Sequence, residues 1–384
     1  MKVVFLLPED SSTGVSYYAL NLLNNITTID KDIIPGGTQK CSLFHYLRRI
    51  LNADADVFHI QLEPRFFKLI HKIPFLPLLA FIIKRIRKKV LVITCHAILC
   101  YGDLEILLKD IQGLSFLRLF RRMLWAIYIL INKLMFSLAD VIIVHNNLMR
   151  KCLADLFNSR LGCKIKVIPH GTRLVSKKVL SDARKNTPVI MYMGFLRGNR
   201  DIISLIEAFN ILKKSVSNAK LHLILFISQR HQSKSLRKLL MNIVNMSKKS
   251  KDVIIKINPE ETVIEKVLME ATVGILPYME RTIESSGVAW RYAGMGIPFV
   301  ATQVPKILAD FNFINRSLLL KDLKPENIAS AIALLLLNKE MYNCVKQQLM
   351  KHARSHSWDK VGKSHEKLYY EVFYHEGSSY SDAL

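Results

Sequence analysis

Two arginines three positions apart, Arg197 and Arg200, are the residues best placed by type and spacing to bind an anion. They follow the apolar run 189–193 and Gly194, and an amphipathic stretch begins just after them. Guanidinium groups bind phosphate oxygens with both charge and matched geometry, two hydrogen bonds at a time. Two arginines between a strand and a helix therefore predict a cationic site for a diphosphate. The alternative is a pair of solvated surface arginines.

A second anion site is predicted where Ser285, Ser286, Gly287 and Val288 open a helix. The first N–H groups of a helix have no acceptor within it, and the positive end of the helix dipole lies there. The alternative is that Ser286 only caps the helix. Both can be true, because a capping serine and a phosphate use the same N–H donors.

A histidine, His96, ends the predicted strand 90–96. Histidine can donate a hydrogen bond to a sugar or phosphate, or act as an acid or base near neutral pH. The alternative is a half-buried histidine that caps the strand. His59 and His145 also end strands, but neither has a companion residue beside it in the sequence, and we interpret both as structural.

Two glycine positions could bring the backbone close to a ligand. Gly14 lies where the loop after the first strand turns into a helix, and the alternative there is an ordinary turn. The pair His170-Gly171 ends the first half of the chain and predicts a hinge, because glycine permits a positive φ angle and close backbone approach. The sequence contains neither GxGxxG nor GxxxxGK[ST], which excludes P-loop chemistry.

Short runs of Val, Ile and Leu precede these residues and predict the strands that position them. They cover 3–7, 57–61, 90–96, 141–145 and 166–168 in the first half, and 189–193, 221–227, 253–257, 273–276 and 298–301 in the second. The gaps leave room for helices, as in buried parallel sheets. We therefore predict an α/β fold of two doubly wound, Rossmann-like domains. Ligands in such sheets bind beyond the carboxyl ends of the strands, so the expected site is the cleft between the domains.

The chain of 384 residues is half hydrophobic, which excludes disordered and low-complexity classes. We predict a first domain at 1–175, a polar linker at 176–187, a second domain at 188–354, and a closing helix at 355–384 that crosses back to the first domain. The six cysteines include no CxxC pair and predict reduced, mostly buried thiols rather than a metal site.

The formal net charge is +24, from 55 Lys and Arg against 31 Asp and Glu. A surplus of this size indicates an anionic partner, and charge alone does not choose between a polyanion, an anionic membrane and a phosphorylated substrate.

The ordered series of motifs resembles family 4 of the GT-B glycosyltransferases, in its SGV-type variant. The similar segments are KIKVIPHGT, GFLRGNRD followed by LIEAF, LPY…SSGV…YAGMGIPFVAT, and SHSWDKVGKSHEKLYYEV at 355–372. They span most of the chain, and their order is more specific than any single motif.

The resemblance implies a retaining, metal-independent transferase whose donor substrate is a nucleoside-diphosphate sugar, with no further cofactor. The second domain would bind the donor and the first the acceptor. The residues implied, together with their neighbours, are catalytic His96 and Glu284; donor-binding Gly194, Arg197, Arg200, Tyr278, Ser285, Ser286, Gly287 and Val288; Gly14 in the acceptor-side loop; and His170 and Gly171 at the hinge.

The chain departs from the family pattern at Arg291, Arg200 and Asp201, and it has only Gly14 where the family has a pair of glycines in the first domain. The usual second glutamate falls on Arg291, while Glu284 lies one residue out of register. The family lysine is Arg200, which keeps the charge but not the point-like geometry, and the glycine after it is Asp201. These changes leave open a weakened or inactive relative that acts as a binding protein.

Two stretches of the first half, 65–89 and 116–133, combine apolar runs with many cations. Neither run reaches the roughly 18 residues of a spanning helix, and the apolar run at the N-terminus is too short for a signal peptide. Such stretches can lie on an anionic bilayer, and the alternative is a core helix with a solvated basic end. We expect a cytoplasmic protein, peripheral on the inner face of the cell membrane, with a lipid-linked or cell-surface glycan as acceptor.

Two other function classes share parts of this pattern. A sugar-nucleotide isomerase or a sugar phosphorylase could have the same two-domain plan, and the sequence does not separate them from a transferase. A phosphorylase would use inorganic phosphate instead of a nucleotide. A nucleic-acid binder would share the basic charge, but its zinc fingers, recognition helices and interleaved aromatic residues are absent from the sequence. We therefore expect no nucleic-acid partner.

Overall fold

The computed structural model describes residues 1–8, 14–36, 43–62, 76–102, 121–157, 159–175, 187–197, 200–227, 234–279 and 282–381. They form two compact units. The first consists of Met1–Gly171, Thr282–Ser285 and Trp358–Leu384, and the second of Thr172–Arg281 and Ser286–Ser357.

The strands alternate with helices along most of the chain. They are β1 (Lys2–Pro8), β2 (Asp30–Gly36), β3 (Val57–Leu62), β4 (Val90–Cys95), β5 (Ala97–Ile98), β6 (Val141–Val144), β7 (Ile165–Val167), β8 (Val189–Phe195), β9 (Lys220–Phe226), β10 (Val253–Ile257), β11 (Val273–Leu276), β12 (Ile283–Glu284), β13 (Phe299–Thr302) and β14 (Leu319–Leu320).

The helices of the described residues are α1 (Gly14–Asn25), α2 (Leu43–Asn52), α3 (Leu76–Phe81), α4 (Arg121–Leu138), α5 (Asn147–Phe157), α6 (Ile202–Leu212), α7 (Lys234–Ser247), α8 (Glu261–Glu270), α9 (Gly287–Gly294), α10 (Pro305–Asp310), α11 (Pro325–Leu337), α12 (Lys339–Arg354) and α13 (Trp358–Ser381). A π-helical turn at Ile82–Ile86 continues α3, and short 3-10 helices lie at Ser159–Lys164 and Arg316–Leu318.

The first unit is built on a six-stranded sheet in the order β2-β1-β3-β4-β6-β7. All neighbouring strands in it run parallel. Every residue of β3, β4 and β6 is buried, as expected for a parallel sheet covered on both faces. The last helix, α13, packs against α1 at Gly362, where an added Cβ would lie 2.2 Å from the carbonyl oxygen of Asn25.

The second unit repeats this plan with the order β10-β9-β8-β11-β13-β14, again with all neighbours parallel. Its core contains the fully buried rings of Tyr192, Trp290, Tyr292, Phe299 and Phe311. Both sheets have the parallel, doubly wound arrangement that the sequence predicts. In each sheet the residues that follow neighbouring strands lie at one common edge.

All ten predicted strands are present, and their ends shift by no more than two residues. The prediction missed one edge strand in each large sheet, β2 and β14. In β2 only Ile34 is buried among residues whose burial is described, so its sequence lacks the apolar run of a central strand. Two-residue β14 is too short to show a pattern.

The described cysteines are not in disulfide bonds, but they are not mostly buried as predicted. Of the five described, Cys95 is buried, Cys100 and Cys152 are half-buried, and Cys163 and Cys344 are exposed.

Among the described residues no single helix is long and apolar enough to cross a bilayer. One pair, α11 and α12, meets that criterion only jointly, and the two helices are bent by 92° where they meet.

Candidate functional site

The cationic site of the second unit is centred on the ring of Tyr278. Tyr278 directly follows Pro277 at the end of β11, and Arg200 lies in the loop after β8, the strand beside β11. The two residues form an antiparallel backbone bridge, and the Arg200 guanidinium carbon lies 4.1 Å from the centre of the Tyr278 ring. The parallel sheet thus brings together two predicted donor-binding residues 78 positions apart in sequence.

A third residue of this cluster, Lys306, was missed by the sequence analysis. Its Nζ also lies 4.1 Å from the centre of the Tyr278 ring, and the side chain is only 2% exposed. Lys306 is the second residue of α10, which follows β13, the other neighbour of β11. Each cation–ring contact stabilises the cluster by about 0.5–2 kcal/mol. Two cations on one aromatic ring concentrate positive charge at the sheet edge.

Ser286 caps helix α9 as predicted from its position before Gly287. Its buried Oγ accepts a hydrogen bond from the backbone N–H of Ala289 at 3.3 Å. The same oxygen lies 2.9 Å from the Tyr278 hydroxyl, which ties the helix start to the cationic site. The N–H groups of Gly287 and Val288 begin the helix without an acceptor inside it, so they are the donors suited to a phosphate.

Arg197 and Gly194 lie at the end of β8. The Arg197 guanidinium carbon is 5.3 Å from the centre of the Phe195 ring, which in turn contacts Phe226 at 5.5 Å. An added Cβ on Gly194 would lie 2.8 Å from the Tyr192 hydroxyl. The glycine therefore makes room for a tyrosine of the same strand, which is a packing reason for its presence.

Two residues at which the chain differs from the resembled family pattern, Asp201 and Arg291, form specific contacts in the structure. Asp201 caps α6: its carboxylate accepts hydrogen bonds from the backbone N–H of Ser204 at 3.0 Å and from its hydroxyl at 2.8 Å. Arg291 forms an ion pair with Glu261 of α8 and lies 3.8 Å from the sulfur of Met193. The family's glutamate position thus carries an arginine–glutamate pair, and Glu261 is a second residue that the sequence analysis missed.

In the first unit, His96 is part of a hydrogen-bonded chain at the strand ends. Its Nε2 lies 2.8 Å from Gln61 Oε1, and its Nδ1 lies 3.0 Å from Nε2 of His145. His145 Nδ1 lies 3.1 Å from the carbonyl oxygen of Ile168. The interpretation that His145 lacks a companion is therefore wrong. The signal was the position of both histidines at the ends of strands that pair, β4 and β6.

His59 also has partners, contrary to its interpretation from the sequence. Its Nδ1 lies 2.6 Å from the Tyr369 hydroxyl and its Nε2 lies 2.7 Å from Thr94 Oγ1. The structural role assigned to His59 fits these contacts, since they connect β3 to β4 and to helix α13.

Burial lowers the pKa values of these histidines. It holds the pKa of His96 well below its ordinary value, with the neighbouring His145 and His170 adding to the effect. It lowers the pKa of His145 to about 4, against which the carbonyl of Ile168 acts weakly. The histidines at this sheet edge are therefore neutral at pH 7.

Aromatic rings enclose the histidine chain. The ring of Tyr18 lies 4.8 Å from that of His96, 4.9 Å from His145, 5.2 Å from His170 and 5.1 Å from Trp358. Within the described residues, the buried Tyr18 hydroxyl and Trp358 Nε1 have no hydrogen-bond partner. Burial raises the pKa of Tyr18, so its phenol is neutral.

The predicted hinge pair packs against the closing helix. His170 Nδ1 donates to the carbonyl oxygen of Gly171 at 2.7 Å. An added Cβ on Gly171 would lie 2.2 Å from the Trp358 ring. Of the described glycines only Gly296 has a positive φ. Gly171 is thus used for close approach and not for its access to positive φ.

The remaining predicted residues also lie in the first unit. Gly14 is the exposed first residue of α1 and has open space around it. The loop before it, 9–13, lies outside the described residues. Glu284 pairs backbone to backbone with Ala97, the residue after His96, through the short antiparallel sheet of β12 and β5. Glu284 thus pairs with the residue next to the other predicted catalytic residue, and Ser285 follows it in the chain.

Among the described residues, no three His, Cys, Asp or Glu side chains are grouped so that they could hold a metal ion.

The comparisons with known proteins identify the fold. No family model and no curated protein matches the sequence. Solved structures do match. The structure of HepE of Anabaena in complex with UDP and glucose has a TM-score of 0.67 at 12% identity, over 96% of this chain and 99% of that one. Sucrose-phosphate synthase of Thermosynechococcus elongatus has a TM-score of 0.67 at 13% identity over 97% and 99%.

A UDP-forming trehalose-phosphate synthase of Burkholderia xenovorans has a TM-score of 0.64 at 10% identity, over 97% of this chain and 98% of that one. These likenesses, together with two parallel sheets of six strands each, confirm the predicted GT-B fold.

Proposed function

We propose that the chain is a glycosyltransferase that transfers a sugar from a nucleoside-diphosphate sugar. The observation that carries the proposal is the cationic site of the second unit, where Arg200 and Lys306 contact Tyr278 and Tyr278 contacts the cap of α9. HepE, which shares the fold, binds UDP and glucose. A site of this kind at the carboxyl edge of a parallel sheet suits a diphosphate.

The site would promote transfer by stabilising the leaving diphosphate. As the bond between the sugar and the donor phosphate breaks, negative charge develops on the phosphate oxygens. Arg197, Arg200, and the N–H groups of Gly287 and Val288 are fixed donors that could bind this charge as it forms. We infer that the reaction needs no metal ion and retains the anomeric configuration, and that the protein belongs to the SGV-type variant of family 4.

A transfer assay tests this proposal. The purified protein is incubated with UDP-, GDP- or ADP-glucose and a glycan acceptor, and the product's anomeric configuration is read by NMR. We expect a nucleoside diphosphate and a product with the donor's configuration, formed without added metal. Transfer from glucose 1-phosphate with release of inorganic phosphate would support a phosphorylase instead. Donor binding without turnover would support the inactive binding protein.

We propose that the first unit binds the acceptor, and one of its surfaces supports a proposal for the acceptor's location. On helix α4 the residues Met123, Ile127, Leu130 and Leu134 are 43–57% exposed and repeat at intervals of four, three and four. This spacing places them on one helix face. Burying such a face removes apolar surface from water, so it marks an interaction surface.

A second group of exposed apolar residues lies on the neighbouring element. Helix α3 packs against α4, and Leu78, Phe81 and Ile86 of α3 and its π-helical turn are 46–58% exposed. Exposed cations lie among these residues, namely Arg85, Lys88, Arg122 and Lys133. An apolar face with flanking cations matches the interface of an anionic bilayer. We propose that this face binds the inner leaflet of the cell membrane and that the acceptor is lipid-linked or a cell-surface glycan.

Vesicle flotation tests the membrane proposal. We expect the protein to float with vesicles containing phosphatidylglycerol at low salt, and to stay in solution with phosphatidylcholine vesicles. The double variant Ile127→Glu, Leu130→Glu should lose flotation. Met241→Glu is the matched control, because Met241 is 64% exposed on a helix of the second unit. Protein that stays in solution with anionic vesicles would contradict the proposal.

A further inference from the structure

The hydrogen-bonded chain at the edge of the first sheet crosses four strand ends in sheet order. It runs from Ile168, after β7, to His145, after β6, then to His96, after β4, and to Gln61 of β3. Each link joins one strand to its direct neighbour in the sheet. His145 has no role in the proposed reaction so far, although it touches the predicted catalytic histidine.

The carbonyl at one end fixes where the protons lie. A backbone carbonyl oxygen can only accept, so His145 Nδ1 must carry the hydrogen that points to Ile168. A neutral imidazole has one N–H, which leaves Nε2 of His145 as an acceptor. His96 Nδ1, which lies 3.0 Å from it, must therefore be the donor. The single proton of a neutral His96 is then on Nδ1, and its Nε2 carries a lone pair.

The surroundings of His96 keep the ring neutral. Burial is the main cause of its lowered pKa, and the nearby histidines His145, His170, His59 and His365 lower that pKa further. The Tyr18 ring lies edge-on to it at 4.8 Å. A doubly protonated His96, which could donate to both neighbours, would have to form in this desolvated cluster.

The side-chain amide of Gln61 then has one favourable orientation. The oxygen and nitrogen of an amide have the same shape, and their assignment follows from the hydrogen bonds around them. A lone pair on His96 Nε2 requires a donor, so the Gln61 NH2 group is the one that belongs at 2.8 Å from Nε2. The other end of the amide lies 3.2 Å from His59 Nε2, so in this orientation its oxygen accepts from a His59 that carries its hydrogen on Nε2.

We propose that His145 is a positioning residue that holds His96 in the Nδ1–H tautomer, so that His96 Nε2 is a hydrogen-bond acceptor. The tautomer does not depend on the proposed function. The role of His96 in transfer rests on that function. An acceptor hydroxyl that reaches this edge would donate to His96 Nε2 in place of the Gln61 NH2 group. His96 could then orient the hydroxyl but could not give it a proton.

The tautomer is measurable by NMR. In protein labelled with 15N-histidine, long-range 1H–15N correlations distinguish Nδ1–H from Nε2–H rings, and the His96 signal is identified by its loss in His96→Asn. We expect His96 and His145 both to be Nδ1–H. His145→Gln should keep His96 in this form, because glutamine offers His96 a carbonyl oxygen and Ile168 an N–H. His145→Phe should convert His96 to Nε2–H.

A wild-type His96 in the Nε2–H form would overturn the proposal, as would an unchanged His96 in His145→Phe. If His145→Phe does not fold, Gln61→Leu gives a separate test. We expect His96 to stay Nδ1–H in that variant, because His145 and Ile168 are intact. Conversion to Nε2–H would show that Gln61, and not His145, sets the tautomer.

Activity provides a second readout that separates the two proposals. In His145→Phe we expect kcat to fall by about 10- to 100-fold, by analogy with residues that orient metal-bound histidines. The KM for the donor should be unchanged, and His145→Gln should recover most of kcat. A wild-type protein without transfer activity would contradict the proposed function, while the NMR result would still decide the tautomer.

Discussion

The ring of Tyr278 connects most of the side chains that we assign to donor binding. Its faces meet the cations Arg200 and Lys306, and its hydroxyl meets Ser286. Arg200 and Ser286 were predictable, because each lies a few residues after an apolar run and has a type that binds phosphate. Lys306 was not, because its relation to Tyr278 depends on β13 lying beside β11. No local pattern encodes that pairing.

We predict that Lys306 contributes its charge to donor binding. Lys306→Met keeps most of the aliphatic stem and removes the charge, so the unit should still fold while the affinity for UDP falls about tenfold, or about 1.4 kcal/mol. Isothermal titration calorimetry measures the change. Lys306→Arg, which keeps a cation, should bind UDP nearly as the wild type does. Equal affinity in Lys306→Met would show that this lysine only supports the Tyr278 ring.

Elements with continuous apolar runs were predictable, whereas short edge elements were not. The central strands of both sheets repeat Val, Ile and Leu because both of their faces are buried. Strand β2 contains Pro35 and three charged residues, and β12 and β5 have two residues each, so their existence depends on a neighbour. The same limit concealed the link between His96 and His145, which are 49 positions apart.

We predict that Gly171 is required for the packing of helix α13. In Gly171→Ala the new methyl group would meet the Trp358 ring at 2.2–2.5 Å, and the ring is held between His170 and Tyr18. The overpacking should cost about 1–3 kcal/mol of unfolding free energy, measured by urea denaturation.

Gly14→Ala is the matched control for this prediction. Gly14 begins α1 in open space, so its substitution should change the free energy of unfolding by no more than about 1 kcal/mol. Equal effects of the two substitutions would contradict the close packing at Gly171.

For the whole molecule, the buried histidines of the first unit predict a loss of stability in acid. Burial lowers the pKa values of His145 and His365 to about 4. Their ordinary value is 6.5, so the unfolded chain binds protons first as the pH falls. Above pH 6.5 both histidines are neutral in the folded and the unfolded chain, and the free energy of unfolding has its full value. As the pH falls from 6.5 to about 4, each histidine lowers the free energy of unfolding by about 3 kcal/mol.

Urea denaturation at pH 7 and pH 5 measures this dependence. We expect the wild type to lose stability between the two pH values, and His145→Gln, which removes one of the groups, to lose about 2 kcal/mol less. The same loss in both proteins would contradict the assignment of His145 as a neutral, buried ring.

We propose two anionic partners for the positive charge of the molecule. The net charge of +24 did not by itself choose among anionic partners, whereas the positions of Arg197 and Arg200 predicted a diphosphate and the two basic, apolar stretches predicted a bilayer. The structure groups Arg200 and Lys306 at one sheet edge of the second unit, and exposed cations around an apolar face of the first. The first group suits a diphosphate and the second an anionic bilayer.

The central claim is that the sheet edge around Tyr278 binds the donor diphosphate, and a titration of UDP tests it most directly. Calorimetry would compare the wild type with Arg200→Ala and with Arg316→Ala, an exposed arginine of the same unit. We predict saturable binding to the wild type and Arg316→Ala, and at least tenfold weaker binding to Arg200→Ala, because a lost charged hydrogen bond costs about 1.5–3 kcal/mol. Equal affinity in all three proteins would contradict the claim.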